Sequence, residues 1–212
     1  MIGIGVKDVF SRLINAYFQS RLGFSKEETI LLRNEYFRSY GLIMEGLVSN
    51  YQVDPLEFNS MVDDALPFDS LIKLNPELRQ LREEIDKGKF KLWLFSNAHI
   101  THVKRVVCLL GVEDLFEGAI YCDYSKEPLV CKPQSAMFET AMRVAGPKRC
   151  SDCYLIADDS YRNCQGAESF GWTAVHLVEK GIAKEPAFRH QIRSLEELRE
   201  IFPGWFKGQA NG

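Results

Sequence analysis

The stretch Cys153-Tyr154-Leu155-Ile156-Ala157-Asp158-Asp159-Ser160 decides the fold class of this chain. A short apolar run that stops abruptly at polar residues is the pattern of a strand buried on both faces, as in a parallel sheet. Downstream, a helix bearing Ala167 and Phe170 stops before Gly171, and Thr173 to Val178 reads as the last strand. Upstream, Ala119-Ile120-Tyr121-Cys122 reads as a strand, followed by a helix with Phe138, Ala141 and Met142 on one face. Earlier still, Asn75-Pro76 opens a helix carrying Leu78, Leu81 and Ile85. Lys91 to Phe95 then forms an apolar run ending at Ser96-Asn97, and a helix through Val103, Val106, Val107, Leu109 and Leu110 runs to Gly111. Strand and helix alternating at this spacing predict an α/β fold with a parallel sheet covered on both faces.

The first 66 residues carry a different pattern. Val9, Phe10, Leu13, Ile14, Tyr17 and Phe18 make an apolar stripe at helical spacing, ended by Gly23. Ser25 with Glu28 has the form of a capping box, and Asp54-Pro55 with Glu57 is a second helix start. These signals predict a small helical bundle. Four regions follow: an N-terminal helix over 1–22, a helical region over 23–68, an α/β core over 69–180 and a C-terminal helical tail over 181–212. In the tail, Ser194 and Glu197 form another capping box.

Composition excludes some functions. The chain has 212 residues and a net charge of -3, which gives no electrostatic reason to expect nucleic acid as a partner. No run approaches the roughly 20 apolar residues of a membrane span. A soluble protein of the cytoplasm or nucleus is the expectation, and nothing in the sequence sets an oligomeric state.

Three polar signals stand at strand ends or before helices, where open parallel sheets bind ligands. Ser96-Asn97 offers a hydroxyl and an amide to a phosphate oxygen, or a helix N-cap. Lys132-Pro133 offers a point charge suited to a phosphoryl group, or a solvated turn. Asp158 and Asp159, with Ser160 and Asn163 following, suit an oxygen-coordinated Mg²⁺, or form a capped turn. Together they point to a phosphate-plus-Mg²⁺ site without an evident nucleophile. Other chemistry-bearing residues read as structural: His99 and His102 as surface or capping residues, His176 as a packed histidine, and the isolated pair Cys150 and Cys153 as incidental. Cys108 and Cys122 sit among apolar residues and read as buried thiols.

The quoted stretches, with Val130-Cys-Lys-Pro133, Tyr121-Cys-Asp-Tyr-Ser125, Tyr40-Gly-Leu42, Gly46-Leu47 and Val62-Asp-Asp-Ala-Leu-Pro67, resemble the haloacid-dehalogenase-like hydrolases. More narrowly, they resemble the fungal and plant pyrimidine 5'-nucleotidase branch. The resemblance implies a three-layer α/β/α, Rossmann-like sheet with the helical region as a cap. It implies that Ser96 holds the phosphoryl group, that Lys132 steadies it, and that Asp158 and Asp159 hold Mg²⁺. Asn97 joins the phosphate side, Asn163 supports the acidic turn, and Tyr40 and Gly41 shape the nucleoside side. The implied partner is a small phosphate ester, a pyrimidine nucleoside monophosphate.

One departure matters. The family begins its core with a strand ending in Asp-x-Asp, whose first Asp attacks phosphorus and whose second acts as acid and base. No such motif stands near the start of this sequence, and Asp8 lies inside an amphipathic helix pattern. The expectation is therefore an N-terminally shortened form lacking the central strand and largely without phosphatase activity. Losing about four buried side chains at about 1.5–3 kcal/mol each makes such a chain unstable unless Met1 to Val6 fills the gap, a role Gly3 and Gly5 weaken. Two other functional readings remain: a non-catalytic nucleotide-binding or regulatory protein, and another phosphatase or phosphomutase of the same fold.

Overall fold

The computed structural model describes residues 4–178 and 188–208. In chain order the helices are α1 (Ile4–Leu22), α2 (Lys26–Tyr40), α3 (Ile43–Asn50), α4 (Pro55–Phe58), α5 (Phe68–Leu71), α6 (Pro76–Glu84), α7 (Ile100–Leu110), α8 (Ser135–Ala145), α9 (Tyr161–Ser169) and α10 (Leu198–Ile201). The strands are β1 (Trp93–Ser96), β2 (Gly118–Tyr121), β3 (Tyr154–Asp158), β4 (Thr173–Leu177) and β5 (Gln191–Ile192). A π-helical turn, Asn59–Asp63, follows α4 directly.

Two compact units divide the chain. The first comprises Met1–Leu74, Ser96–Leu110 and Tyr121–Val130. The stripe read from the sequence is the inner face of α1, where Ile14, Tyr17 and Phe18 are buried. Each such large apolar side chain stabilises by about 1.5–3 kcal/mol. Val6, Leu66 and Phe68 form a cluster with Val9, Phe10 and Leu13 of α1 and Val106 and Leu109 of α7. Local chemistry sets the helix ends. The Ser25–Glu28 capping box starts α2, and the Asp54 side chain accepts the Leu56 N–H at the start of α4. Ile4 to Val6 belong to α1, so these residues do not form a replacement strand. The reason is packing: as part of the helix, Val6 buries its side chain against Leu66 and Phe68.

The second unit comprises Asn75–Phe95, Gly111–Ile120 and Cys131–Gly212. It holds the parallel α/β fold. Tyr154, Leu155 and Ile156 of β3 pair in parallel with Thr173, Ala174 and Val175 of β4. β5 pairs in parallel with β4 through His176–Gln191 and Leu177–Ile192. β5 falls in the stretch expected to be wholly helical; two residues are too few to carry a period, and the pairing comes from β4. The Ser194–Glu197 capping box does form, while residues 181–187 and 209–212 of that stretch lie outside those described.

The strands fall into two sheets, β1-β2 and β3-β4-β5. Among the described residues no strand pairs with both β1 and β3. Two apolar clusters pack around these strands. Val175 and Ile192 bury with Leu81, Ile85, Leu198 and Phe206. Leu155 and Ala174 bury with Phe138, Cys164 and Ala167, and Phe95 of β1 packs on this second group.

Candidate functional site at the end of β3

The register of β3 against β4 slips at its last residues: Ile156 faces Val175, but Asp158 faces His176. Ala157 is the extra residue of this bulge, with φ at 57°. A non-glycine residue in the left-handed region costs about 1–2 kcal/mol, and such strain persists only where the surroundings demand it. The bulge alters the register at the end of β3, and Asp158 there is held by several donors.

The Asp158 carboxylate is almost fully engaged. Its Oδ2 accepts from the Lys132 ammonium at 2.6 Å. Its Oδ1 accepts from the Ser160 backbone N–H and from Asn163 Nδ2, each at 3.0 Å. Lys132 also donates to the Phe95 carbonyl of β1 at 2.8 Å, and its Nζ lies 4.9 Å from the Phe95 ring centroid. The side chains of Lys132 and Asp158 are only 5% and 7% exposed. In such low-dielectric surroundings an ion pair holds only with good geometry and further hydrogen bonds, and both are present here.

Two small features let this cluster close. Gly166 in α9 faces Pro133, and a Cβ there would sit 2.7 Å from the proline Cβ and 3.0 Å from its carbonyl oxygen. Glycine therefore lets α9 approach the Lys132-Pro133 turn. Ser160 is the N-cap of α9 and accepts the Asn163 N–H. Beside them, the Cys164 thiol lies 3.6 Å from the Asp158 carbonyl. Burial, and then the nearby Asp158 charge, push its pKa up to about 12, so it is no nucleophile at neutral pH. The Asn163 Oδ1 is buried with no hydrogen-bond partner.

Asp159 is solvent-exposed and Asp8 is exposed on α1. Ser96 and Asn97 belong to the first unit, where the Ser96 hydroxyl accepts the Ala98 N–H. The Asn97 carbonyl accepts from the Tyr124 hydroxyl, and His99 Nδ1 accepts the Tyr124 N–H. His99 stacks on Tyr124 at 5.3 Å and meets Tyr121 edge-on at 6.0 Å. Tyr40 packs edge-on against Tyr36, and its hydroxyl accepts from Asn50. Gly41 is the left-handed C-cap of α2. Gly46 sits beneath Tyr36, where a Cβ would lie 2.4 Å from the ring. Close packing accounts for Gly46, and the left-handed helix end for Gly41.

The sequence reading missed a second buried polar group. His102 Nδ1 lies 3.3 Å from Asp63 Oδ1 in the first unit. Nearby, Asn59 Nδ2 donates to Asp64 and to Thr101, and Arg105 donates to the carbonyls of Asp64 and Leu66. The available signal was the Asp63-Asp64 pair inside Val62 to Pro67. It carried no chemistry because its partners sit on α7, about forty residues away. One further reading is corrected, since Cys108 is exposed rather than buried, whereas His176 is packed as expected, with its Nδ1 unbonded. α7 places Cys108 on its outer side. The His176 ring meets Tyr161 and Phe188 instead, which secures the packing without a bond at Nδ1.

The expected Mg²⁺ can be tested against these atoms. Both Asp158 oxygens hold protein donors, one of them an ammonium, and Asp159 stands outside the cluster. Among the described residues no three His, Cys, Asp or Glu side chains converge on a metal position. As arranged, the residues do not fit a divalent cation that needs carboxylate oxygens free to coordinate it.

A parallel α/β sheet with a lysine–aspartate cluster at a strand end places that cluster where such sheets bind ligands. Residues 8–171 match the model of the haloacid dehalogenase-like hydrolases, and the chain belongs to that family. It is 34% identical to Phosphate metabolism protein 8 of Saccharomyces cerevisiae, over 92% of this chain and 66% of that protein. The chain thus spans just under two thirds of that relative. A HAD phosphatase from Thermococcus onnurineus shares the fold with a TM-score of 0.61 at 19% identity, covering 94% of this chain and 91% of the other. The L-2-haloacid dehalogenase of Xanthobacter autotrophicus does so at 0.57 and 15%, covering 92% and 93%. Among the described residues no helix is long and apolar enough to cross a membrane.

Proposed function

We propose that this chain is a phosphate-ester-binding protein of the haloacid dehalogenase-like hydrolases, with nucleoside 5'-monophosphates, pyrimidine ones first, as its ligand class. We further propose that these 212 residues by themselves do not turn the ester over. The observation that carries the reading is the buried Lys132, set by Pro133 and Gly166 at the ligand end of a parallel sheet. Its positive charge is the group that a phosphoryl oxygen seeks in this cluster.

Turnover by the family's covalent route needs a carboxylate free to attack phosphorus. Asp158 is the carboxylate in the cluster, and its oxygens are held by Lys132, Ser160 and Asn163. The proposed activity is therefore binding without cleavage, and the Mg²⁺ expected from the resemblance has no role in it. Two measurements test this. Calorimetric titration with uridine and cytidine monophosphate is expected to show saturable binding that Lys132→Ala weakens at least tenfold. Phosphate release from the same nucleotides, with and without MgCl2, is expected to stay at background. Steady release by the wild-type chain would overturn the non-catalytic reading, and absence of saturable binding would overturn the ligand assignment.

A further inference from the structure

We infer that in this chain Lys132 takes the place of a cation. It compensates Asp158 from within, ties β1 to β3, and leaves the cluster with no divalent metal requirement. The inference goes beyond nucleotide binding and stands whether or not a nucleotide binds.

Three observations support it. The first is the partition of bonds. One ammonium reaches the backbone of β1, through the Phe95 carbonyl at 2.8 Å, and the last side chain of β3, through Asp158 Oδ2 at 2.6 Å. These strands belong to separate sheets, so no backbone ladder joins them among the described residues. The lysine supplies a polar link there, alongside the packing of Phe95 on Phe138 and Trp172.

The second is charge and burial. Lys132 and Asp158 are both almost fully buried. A buried carboxylate needs a counter-charge, and an ammonium in contact meets that need. A divalent cation on the same oxygen would meet the lysine's charge at close range. The remaining oxygen, Oδ1, already accepts two donors.

The third is the construction around the pair. The strained Ala157 bulge, the glycine contact of α9 and the Ser160 cap all hold Asp158 and the lysine turn at hydrogen-bonding distance. Asn163 Oδ1 is the one buried oxygen here without a donor. A single neutral oxygen does not amount to a metal site.

The test uses the full chain and reads melting temperature and calorimetry, not activity. Wild-type protein titrated with MgCl2 to 10 mM is expected to show no saturable heat and a melting shift within about 1 °C. Lys132→Met leaves Asp158 buried without its counter-charge and is expected to melt roughly 10 °C lower. The double variant Lys132→Met/Asp158→Leu removes both charges and is expected to recover most of that loss. Mg²⁺ is expected to raise the melting temperature of Lys132→Met but not of the double variant, because only the former offers a freed carboxylate. Saturable Mg²⁺ binding by the wild type that Asp158→Asn abolishes would overturn the inference, even if every lysine variant failed to fold. A double variant no more stable than Lys132→Met would overturn the tie between the two charges. Nucleotide binding enters none of these readings, so their failure is distinct from failure of the ligand assignment.

Discussion

Two buried acid–base contacts, one in each unit, have opposite quality. Lys132 and Asp158 meet at 2.6 Å, and Asp158 has further donors from Ser160 and Asn163. His102 and Asp63 come within 3.3 Å, yet the angle leaves His102 Nδ1 without a hydrogen bond. Both contacts are buried, so burial does not distinguish them. The frame does. Asp158 ends a strand whose register is held by β4, and Lys132 rides on a turn clamped by Gly166. Asp63 ends a π-helical turn, and its partner lies in the first turn of α7. A π turn shifts side chains away from ordinary helical spacing, and its polar groups meet their partners less squarely. The first contact therefore acts as an ion pair, and the second is mainly packing, with Phe68 edge-on to the His102 ring at 4.9 Å.

The sharpest way to break this comparison is to remove each acid in turn. Asp158→Ala strands a buried ammonium and is expected to cost about 3–5 kcal/mol in urea unfolding. Asp63→Ala is expected to cost only about 1 kcal/mol, in line with a weak contact. Equal losses at the two positions would show that geometry does not separate them. Next in size is Gly166→Ala, which drives a methyl group into Pro133 and displaces the lysine turn. Its expected cost is about 1–3 kcal/mol, with weakened nucleotide binding, because the clash is with backbone that has little room to move.

A smaller effect of opposite sign is expected at the bulge. Ala157→Gly relieves the left-handed strain of about 1–2 kcal/mol but adds chain entropy of about 0.5–1 kcal/mol. A net gain of about 0.5 kcal/mol is expected from chemical denaturation, whereas a loss would mean that the alanine methyl packs favourably. The smallest perturbation is chemical labelling under native conditions. Iodoacetamide is expected to modify exposed Cys108 well before buried Cys164, whose thiol is pushed up to about 12. Early labelling of Cys164, read by peptide mass, would mean that the Lys132–Asp158 cluster opens readily.

Much of this architecture was legible because its causes are local. The Ser25–Glu28 and Ser194–Glu197 boxes and the Asp54-Pro55 and Asn75-Pro76 starts all formed where the residues stand. The apolar runs leading to Phe95, Tyr121, Ala157 and Leu177 all became strands. Lys132 and Asp158 stood out in the sequence because each stands at a strand end or before a helix. Asp159 shows the limit of such a reading. Two adjacent carboxylates look alike in sequence, and the bulge at Ala157 decides which one turns inward.

By itself the sequence determined the family, the α/β fold class, most helix ends, and the absence of an Asp-x-Asp motif among these residues. All of these depend on residue type and short spacing. Only the tertiary structure decided that the strands divide into two sheets, that β5 exists, and that Ile4 to Val6 are helical, Met1 to Gly3 lying outside the described residues. It alone joined Asp158 to Lys132, and Asp63 to His102. Those outcomes depend on groups distant in the chain competing for the same buried space, where one ammonium can satisfy a carboxylate that the sequence offers equally to a metal.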